Sequence, residues 1–154
     1  MSGRRVIFCY PFLRSSEMPM PHDLEADTWI EQARRDLRAA EHLLQGDFSA
    51  HATVMAHLAV EKALKGLVRR QTGKQPPVTH DLRHLARRVD RTWDRDRQDA
   101  LDGLSDVSIL ALYAPDRPFG HPVSEQAPAA RERVADARMI VEWLTHPSHE
   151  GENE

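Results

Sequence analysis

Three polar side chains stand four residues apart in a stretch that is otherwise apolar. They are His57, Glu61 and Lys65, and Lys62 lies beside them. Because residues four apart are neighbours on a helix, this spacing places an imidazole, a carboxylate and an amine on one side. A glutamate one turn before a lysine can form a helix-surface ion pair worth about 0.3–0.5 kcal/mol. The alternative is a polar stripe on a largely buried helix, facing a partner helix or a ligand.

The apolar residues around this stripe follow helical spacing. They are Val54, Leu58, Ala59, Ala63, Leu64, Leu67 and Val68. This pattern predicts a long helix, buried over much of its surface, that follows Phe48 and Ser49. We expect it to run to Arg70 or Gln71, with Gly73 as its left-handed cap.

A first helix is predicted upstream of this one. Thr28 and Glu31 form a T-x-x-E capping box, which typically begins a helix. The apolar residues that then step by three and four, until Gly46 ends the pattern, are Ile30, Ala33, Leu37, Ala40 and Leu44. A short connection to the second helix predicts antiparallel packing. We expect residues 1–21 to be a disordered extension, with Met18 and Met20 as alternative start sites.

Three further helices are predicted downstream. Consecutive prolines make residues 74–78 a loop, after which Thr79 caps a short helix through Leu82, Leu85 and Val89. A fourth helix passes Gly103 and ends near Tyr113. The last helix starts after Ser124, with Pro128 tolerated only in its first turn. Its buried stripe is Ala130, Val134, Ala137, Val141 and Leu144, and residues 147–154 form an acidic tail that we expect to be disordered.

Composition limits the classes of protein to consider. The chain has 154 residues, of which 40% are hydrophobic and 29% are charged, and its formal net charge is -3. No apolar run approaches the roughly 20 residues that cross a bilayer. The negative charge argues against a globally basic nucleic-acid-binding protein. Cys9 is the only cysteine, so no internal disulfide can form, and we expect one domain in the cytoplasm without membrane contact.

Motifs that announce common enzyme classes are absent from the sequence. It contains no phosphate-binding loop, no dinucleotide fingerprint, no nucleophile elbow and no H-E-x-x-H zinc motif. His80 and His84 have a usable spacing for two zinc ligands on a helix, but no thiolate accompanies them. A turn and cap at His80 and Asp81 is the simpler interpretation. We therefore expect no metal and no cofactor.

Several segments, taken in chain order, share a pattern with one known family. They are the helix with Trp29, Ala33, Asp36, Leu37, Leu43 and Leu44, the stretch Ala59-Val60-Glu61-Lys62-Ala63-Leu64-Lys65, the turn Thr79-His80-Asp81-Leu82 with Leu85, Tyr113 followed by Arg117, and the last helix with Ala137, Ile140, Trp143 and Leu144. In this order they resemble the prokaryotic HEPN domain family, from about Asp27 to Leu144. The resemblance implies an all-α fold, an antiparallel bundle of four to five helices spanning residues 22–146.

The resemblance implies two interpretations of the loop before the last helix. Many HEPN proteins are metal-independent endoribonucleases, in which an arginine precedes a histidine with four to six residues between them. Arg117 and His121, the nearest candidates here, have three residues between them. If these two are catalytic, the chain is an endoribonuclease toxin. We favour the other interpretation, in which Tyr113 and Arg117 match a non-nucleolytic branch and Arg117 binds a carboxylate such as Glu61 or a nucleotide phosphate.

The resemblance also implies partners. HEPN domains are commonly encoded beside minimal nucleotidyltransferases in two-component, often toxin-antitoxin, modules, and many form dimers. We therefore expect a homodimer without enzymatic activity that works with such a nucleotidyltransferase and binds nucleotide or RNA. The expected ligand-binding or interface residues are Glu61, Lys62, Lys65, His80, Asp81, Tyr113 and Arg117. A third hypothesis is a purely structural dimerisation module, in which the polar stripe only fixes helix register.

Overall fold

Five α-helices make up the regular structure of residues 21–107 and 123–146, which are the residues that this computed structural model describes, without the side chains of 123–126. They are α1 (His22–Gln45), α2 (Ser49–Thr72), α3 (Leu82–Ala86), α4 (Arg95–Ser105) and α5 (Val123–Thr145). No strand occurs in these ranges. The predicted all-α bundle is confirmed.

Helix α1 begins six residues before the predicted start. It opens at His22, and Asp23 and Glu25 place negative charge in its first turn, where the helix dipole favours it. Thr28 lies inside the helix, and its hydroxyl donates to the carbonyl of Leu24 at 2.9 Å. The predicted capping box was therefore wrong, because the same residue types also occur within a helix. The residues that α1 buries are Ala26, Ile30, Ala33, Leu37 and Ala40.

Helix α2 lies at the centre of the bundle and packs antiparallel to α1. The start of α1 meets the end of α2 at Asp27 and Arg70, whose side chains are 2.5 Å apart. Near the middle of both helices, Lys62 Nζ lies 2.6 Å from the Asp36 carboxylate. Gly73 ends α2 with a φ of 67°, so the predicted left-handed cap is confirmed.

The two short helices, α3 and α4, differ in detail from the prediction. The side chain of Asp81, rather than that of Thr79, caps α3, and it accepts a hydrogen bond from the His84 backbone N–H. Asp94 caps α4 in the same way. Helix α4 ends at Ser105, and the predicted continuation to Tyr113 lies largely outside the described residues, although Val107 is not helical.

Helix α5 closes the bundle against α2 and α4. It starts at Val123, earlier than predicted, so that Pro128 is its sixth residue and lies beyond the first turn to which we had confined it. The predicted buried stripe is confirmed, and Ile140 adds to it. Near the end of α5, the Trp143 ring packs edge-on against Trp93, with ring centroids 4.9 Å apart.

The predicted disordered segments, 1–21 and 147–154, lie outside the described residues apart from Pro21. Among the helices that the structure does describe, none combines the length and the apolar character that crossing a bilayer requires.

Close packing of α1 on α2 depends on Gly66. A Cβ atom at this position would lie 2.9 Å from Ile30 Cγ1 and 3.1 Å from the carbonyl oxygen of Ala26. A Cβ on Gly103, in α4, would instead meet the guanidinium of Arg133, the far end of a flexible side chain. The two glycines therefore differ in how easily their surroundings can move.

We expect Gly66→Ala to lower the free energy of unfolding by about 1–2 kcal/mol, because overpacking outweighs the better helix propensity of alanine. The matched variant Gly103→Ala should leave it unchanged or raise it by up to about 1 kcal/mol. Urea denaturation followed by circular dichroism measures both. A stabilised Gly66→Ala would show that α1 and α2 are not packed this closely.

Candidate functional site

The polar stripe of α2 is buried. Exposed fractions are 2% for His57, 4% for Glu61 and 8% for Lys65, inside a helix whose other buried residues are mostly alanine, valine and leucine. Burying charged groups is unfavourable unless each finds a partner. The ion pair anticipated at a helix surface is therefore present, but it lies in the interior of the bundle.

The Glu61 carboxylate is held from two sides. Lys65 Nζ donates to Oε1 at 2.6 Å, and His80 Nδ1 donates to Oε2 at 2.8 Å. Such charge-assisted hydrogen bonds replace the water that the carboxylate loses on burial. The structure thus brings together three predicted site residues, one of which comes from the loop after α2. We call His57, Glu61, Lys65 and His80 the Glu61 cluster.

His57 connects this cluster to α4. Its Nδ1 donates to the carbonyl oxygen of Leu104 at 2.9 Å, which fixes the proton on that nitrogen. Its Nε2 lies 3.7 Å from Glu61 Oε2 and has no hydrogen-bond partner among the described residues. The ring therefore joins the last turn of α4 to the buried carboxylate.

His80 carries the cluster to the surface. Its side chain is 72% exposed, whereas the Glu61 side chain to which it bonds is only 5% exposed. Because Nδ1 is bound to Glu61, Nε2 is the nitrogen left for other partners. A buried carboxylate that orients an exposed imidazole can serve in anion binding or in proton transfer.

The turn around His80 is built by its neighbours. Thr79 Oγ1 accepts from the Asp81 backbone N–H at 3.1 Å, and the Asp81 carboxylate accepts from the His84 N–H at 3.0 Å. The hydrogen bond from His84 holds the pKa of Asp81 below its usual value. Asp81 therefore positions His80 through the backbone and does not itself join the cluster.

Lys62 is separated from the Glu61 cluster by the turn of the helix. Its amine pairs with Asp36 on α1, and both side chains are largely buried. Residues i and i+1 do not share a helix face, so Lys62 and Glu61 point in different directions. Lys62 contributes to helix packing, whereas Lys65 belongs to the site.

On its outer edge, the cluster borders a groove that sequence reasoning did not identify. Lys65 Nζ lies over the Trp29 indole, 5.6 Å from the ring centroid. Trp29 is half-buried and lines the groove together with Glu25, Thr28, Gln32 and Gln75. The sequence signal for this groove was Trp29 itself, a large aromatic residue next to Ile30 of the buried stripe of α1.

Tyr113, Arg117 and His121 lie in the segment 108–122, outside the described residues. The roles predicted for these three residues therefore stay predictions. The described chain stops at Val107, three residues after Leu104, whose carbonyl oxygen accepts the hydrogen bond from His57.

Metal binding was considered for His80 and His84. The two have separate partners, because His84 Nε2 lies 3.1 Å from Arg88 Nε while His80 bonds to Glu61. Within 21–107 and 123–146, no group of three or more histidine, cysteine, aspartate or glutamate side chains could hold a metal ion.

The buried pair can be tested against an exposed pair of the same type. We expect Glu61→Gln to lower the free energy of unfolding by about 3 kcal/mol, because Lys65 would stay buried without its counter-charge. Glu31→Gln removes the partner of Arg35, 3.2 Å away on the exposed face of α1, and should change the value by less than about 0.5 kcal/mol. Chemical denaturation of both variants provides the comparison, and equal small effects would contradict burial of the cluster.

Comparison with known proteins agrees with this architecture. The family model described as the HEPN domain matches residues 26–148. An archaeal HEPN homologue, ST0689, has a crystal structure that superposes with a TM-score of 0.62 at 24% identity, covering 77% of this chain and 93% of that one. The crystal structure of TT1696 from Thermus thermophilus gives a TM-score of 0.64 at 28% identity, covering 78% of this chain and 95% of that one.

A search of curated proteins gives no match. The family model nevertheless covers α2 to α5, all but the first four residues of α1, and the whole Glu61 cluster. On this match, this chain belongs to the HEPN domain family.

Proposed function

We propose that this HEPN-domain protein is the nucleotide- or RNA-binding member of a two-component module and that it does not cleave RNA. The observation that carries the proposal is the Glu61 cluster, a buried carboxylate that holds two basic side chains, Lys65 beside Trp29 of the groove and His80 at the surface. A phosphate group is the ligand whose charge suits that edge.

Donor capacity supports this assignment. Lys65 has three N–H donors and uses one of them on Glu61, and its side chain is still 10% exposed. In the imidazolium form of His80, Nδ1–H donates to Glu61 and Nε2–H is a second donor for the anion. Both side chains are held by the same carboxylate, so little side-chain entropy is lost when they bind an anion. Arg117, between α4 and α5 in the sequence, is proposed to add a third basic group.

The spacing of Arg117 and His121 favours binding over cleavage. Metal-independent cleavage of RNA needs a histidine to move protons and a fixed cation to stabilise the charged phosphate. In a helix, each residue of slip turns a side chain by about 100°, so an arginine and a histidine at a different spacing do not face the same phosphate. A loop relaxes this requirement, which is why the ribonuclease hypothesis needs a direct test.

We also propose a symmetric homodimer that acts in the cytoplasm with a minimal nucleotidyltransferase, in a toxin-antitoxin type of module. Family membership supports this proposal. Whether the chain is toxin or antidote follows from which member of the pair arrests growth when it is expressed alone.

We predict that the purified protein binds ATP or a short RNA in isothermal titration calorimetry and leaves the RNA intact in the presence of EDTA. Arg117→Ala should weaken the binding about tenfold, as expected for the loss of a charge-assisted contact. Arg131→Ala, which removes an exposed arginine of α5, is the matched control and should bind like the wild type.

The same preparation separates the competing hypotheses. Cleavage by the wild type that disappears in the Arg117→Ala, His121→Ala double variant would assign the ribonuclease function instead. A protein that binds neither ATP nor RNA would instead be the structural dimerisation module.

The partner is tested separately by affinity purification of the tagged protein from its own host. We expect a second copy of the chain and a small nucleotidyltransferase to copurify, because the proposed module contains both. Recovery of the tagged chain alone, as a monomer by light scattering, would overturn the proposal of a two-component module.

A further inference from the structure

The geometry points to a nucleobase subsite in the groove beside Trp29. We infer that one base with an exocyclic amino group stacks on the indole, while its phosphate lies toward Lys65 and His80. This inference rests on the proposed function, because it assigns the base and the phosphate of the proposed ligand to separate parts of the site.

The groove has the size and the position that such a subsite requires. Its volume is about 320 Å³, at the lower end of the range for small-molecule sites. Its walls are the first three turns of α1 and the loop that follows α2, which supplies Gln75. A single base is therefore a better fit than a folded RNA or a protein segment.

Trp29 provides the surface for stacking. Flat aromatic rings stack on bases of any sequence, and an indole offers the largest face among the side chains. The backbone of α1 holds this residue firmly, because its Cβ atom is among the atoms packed closest to Gly66 of α2. The ring itself is contacted by the Lys65 amine, 5.6 Å from its centroid, and a ring restrained by such neighbours loses less entropy on binding.

The polar residues of the groove suit the edge of a base. The amides of Gln32 and Gln75 can each donate and accept, whereas the Glu25 carboxylate only accepts. Glu25 is fixed by Arg69, 2.6 Å away, and by Gln75 Nε2, which donates to it at 3.1 Å. Both contacts use Oε2, so Oε1 remains to accept from an amino group. Adenine, cytosine and guanine carry such a group, and uracil does not.

Charge sets the direction in which the nucleotide lies. A phosphate beside the Glu25 carboxylate would be repelled, whereas the Lys65 amine, which lies over the Trp29 ring, would attract it. From Lys65 the contacts continue through Glu61 to the exposed ring of His80. We therefore assign the base to the groove and the phosphate to Lys65 and His80.

The test compares ATP and UTP by calorimetry in the wild type, in Trp29→Leu and in Trp93→Leu. We expect the wild type to prefer ATP over UTP, and Trp29→Leu to bind ATP about tenfold or more weakly, as the loss of one stacked base implies. Trp93, another half-buried tryptophan, packs against Trp143 away from the groove, so Trp93→Leu should keep the wild-type affinity.

A second variant covers the case in which Trp29→Leu does not fold. Gln32 and Gln75 are exposed, so the double variant Gln32→Ala, Gln75→Ala should keep the fold and bind ATP more weakly, because both amides that face the edge of the base are lost. Wild-type protein that binds neither nucleotide nor short RNA would refute the proposed function itself. Wild-type binding that neither the folded Trp29→Leu nor the glutamine variant weakens would overturn the subsite and leave the proposed function standing.

Discussion

A carboxylate that has lost its water governs the arrangement of this bundle. Glu61 is 4% exposed, and it must be matched by groups that reach it from elsewhere in the chain. Lys65 comes from the next turn of the same helix, but His80 comes from a loop nineteen residues away. The position of that loop is therefore tied to α2, and Asp81, which caps α3, follows it.

Small residues on α2 let this helix pack closely against α1 and also carry the charged cluster. Alanines at 52, 56, 59 and 63 are essentially fully buried, and Gly66 admits the backbone of α1. Close approach of the helices excludes water from the polar stripe, which strengthens the hydrogen bonds within it. Longer side chains at these positions would separate the helices and let water reach Glu61. The apolar packing and the charged cluster thus depend on each other.

The sequence predicted those features that arise from spacing along one helix. The stripe of His57, Glu61 and Lys65, the extent of α2 and the left-handed cap at Gly73 all follow from local periodicity and from the stereochemistry of glycine. The start of α1 was missed because a T-x-x-E pattern also fits a helix interior. The bond from Glu61 to His80 and the groove at Trp29 join segments far apart in sequence, and no periodicity encodes such contacts.

The exposure of His80 bears on why a charged cluster is kept in this core. Buried ion pairs are often no more stabilising than apolar residues of similar volume, so stability alone does not explain this cluster. Two other roles are fixing helix register and binding a ligand. Register between α2 and α4 would be fixed by His57 alone, because it bonds to the Leu104 carbonyl of α4, whereas Lys65 bonds within α2. A histidine that is 72% exposed adds little to register, yet its ring is held by a buried carboxylate. Holding an exposed ring in one orientation costs side-chain entropy. A ligand that binds Nε2 of His80 at the surface would explain why the ring is held.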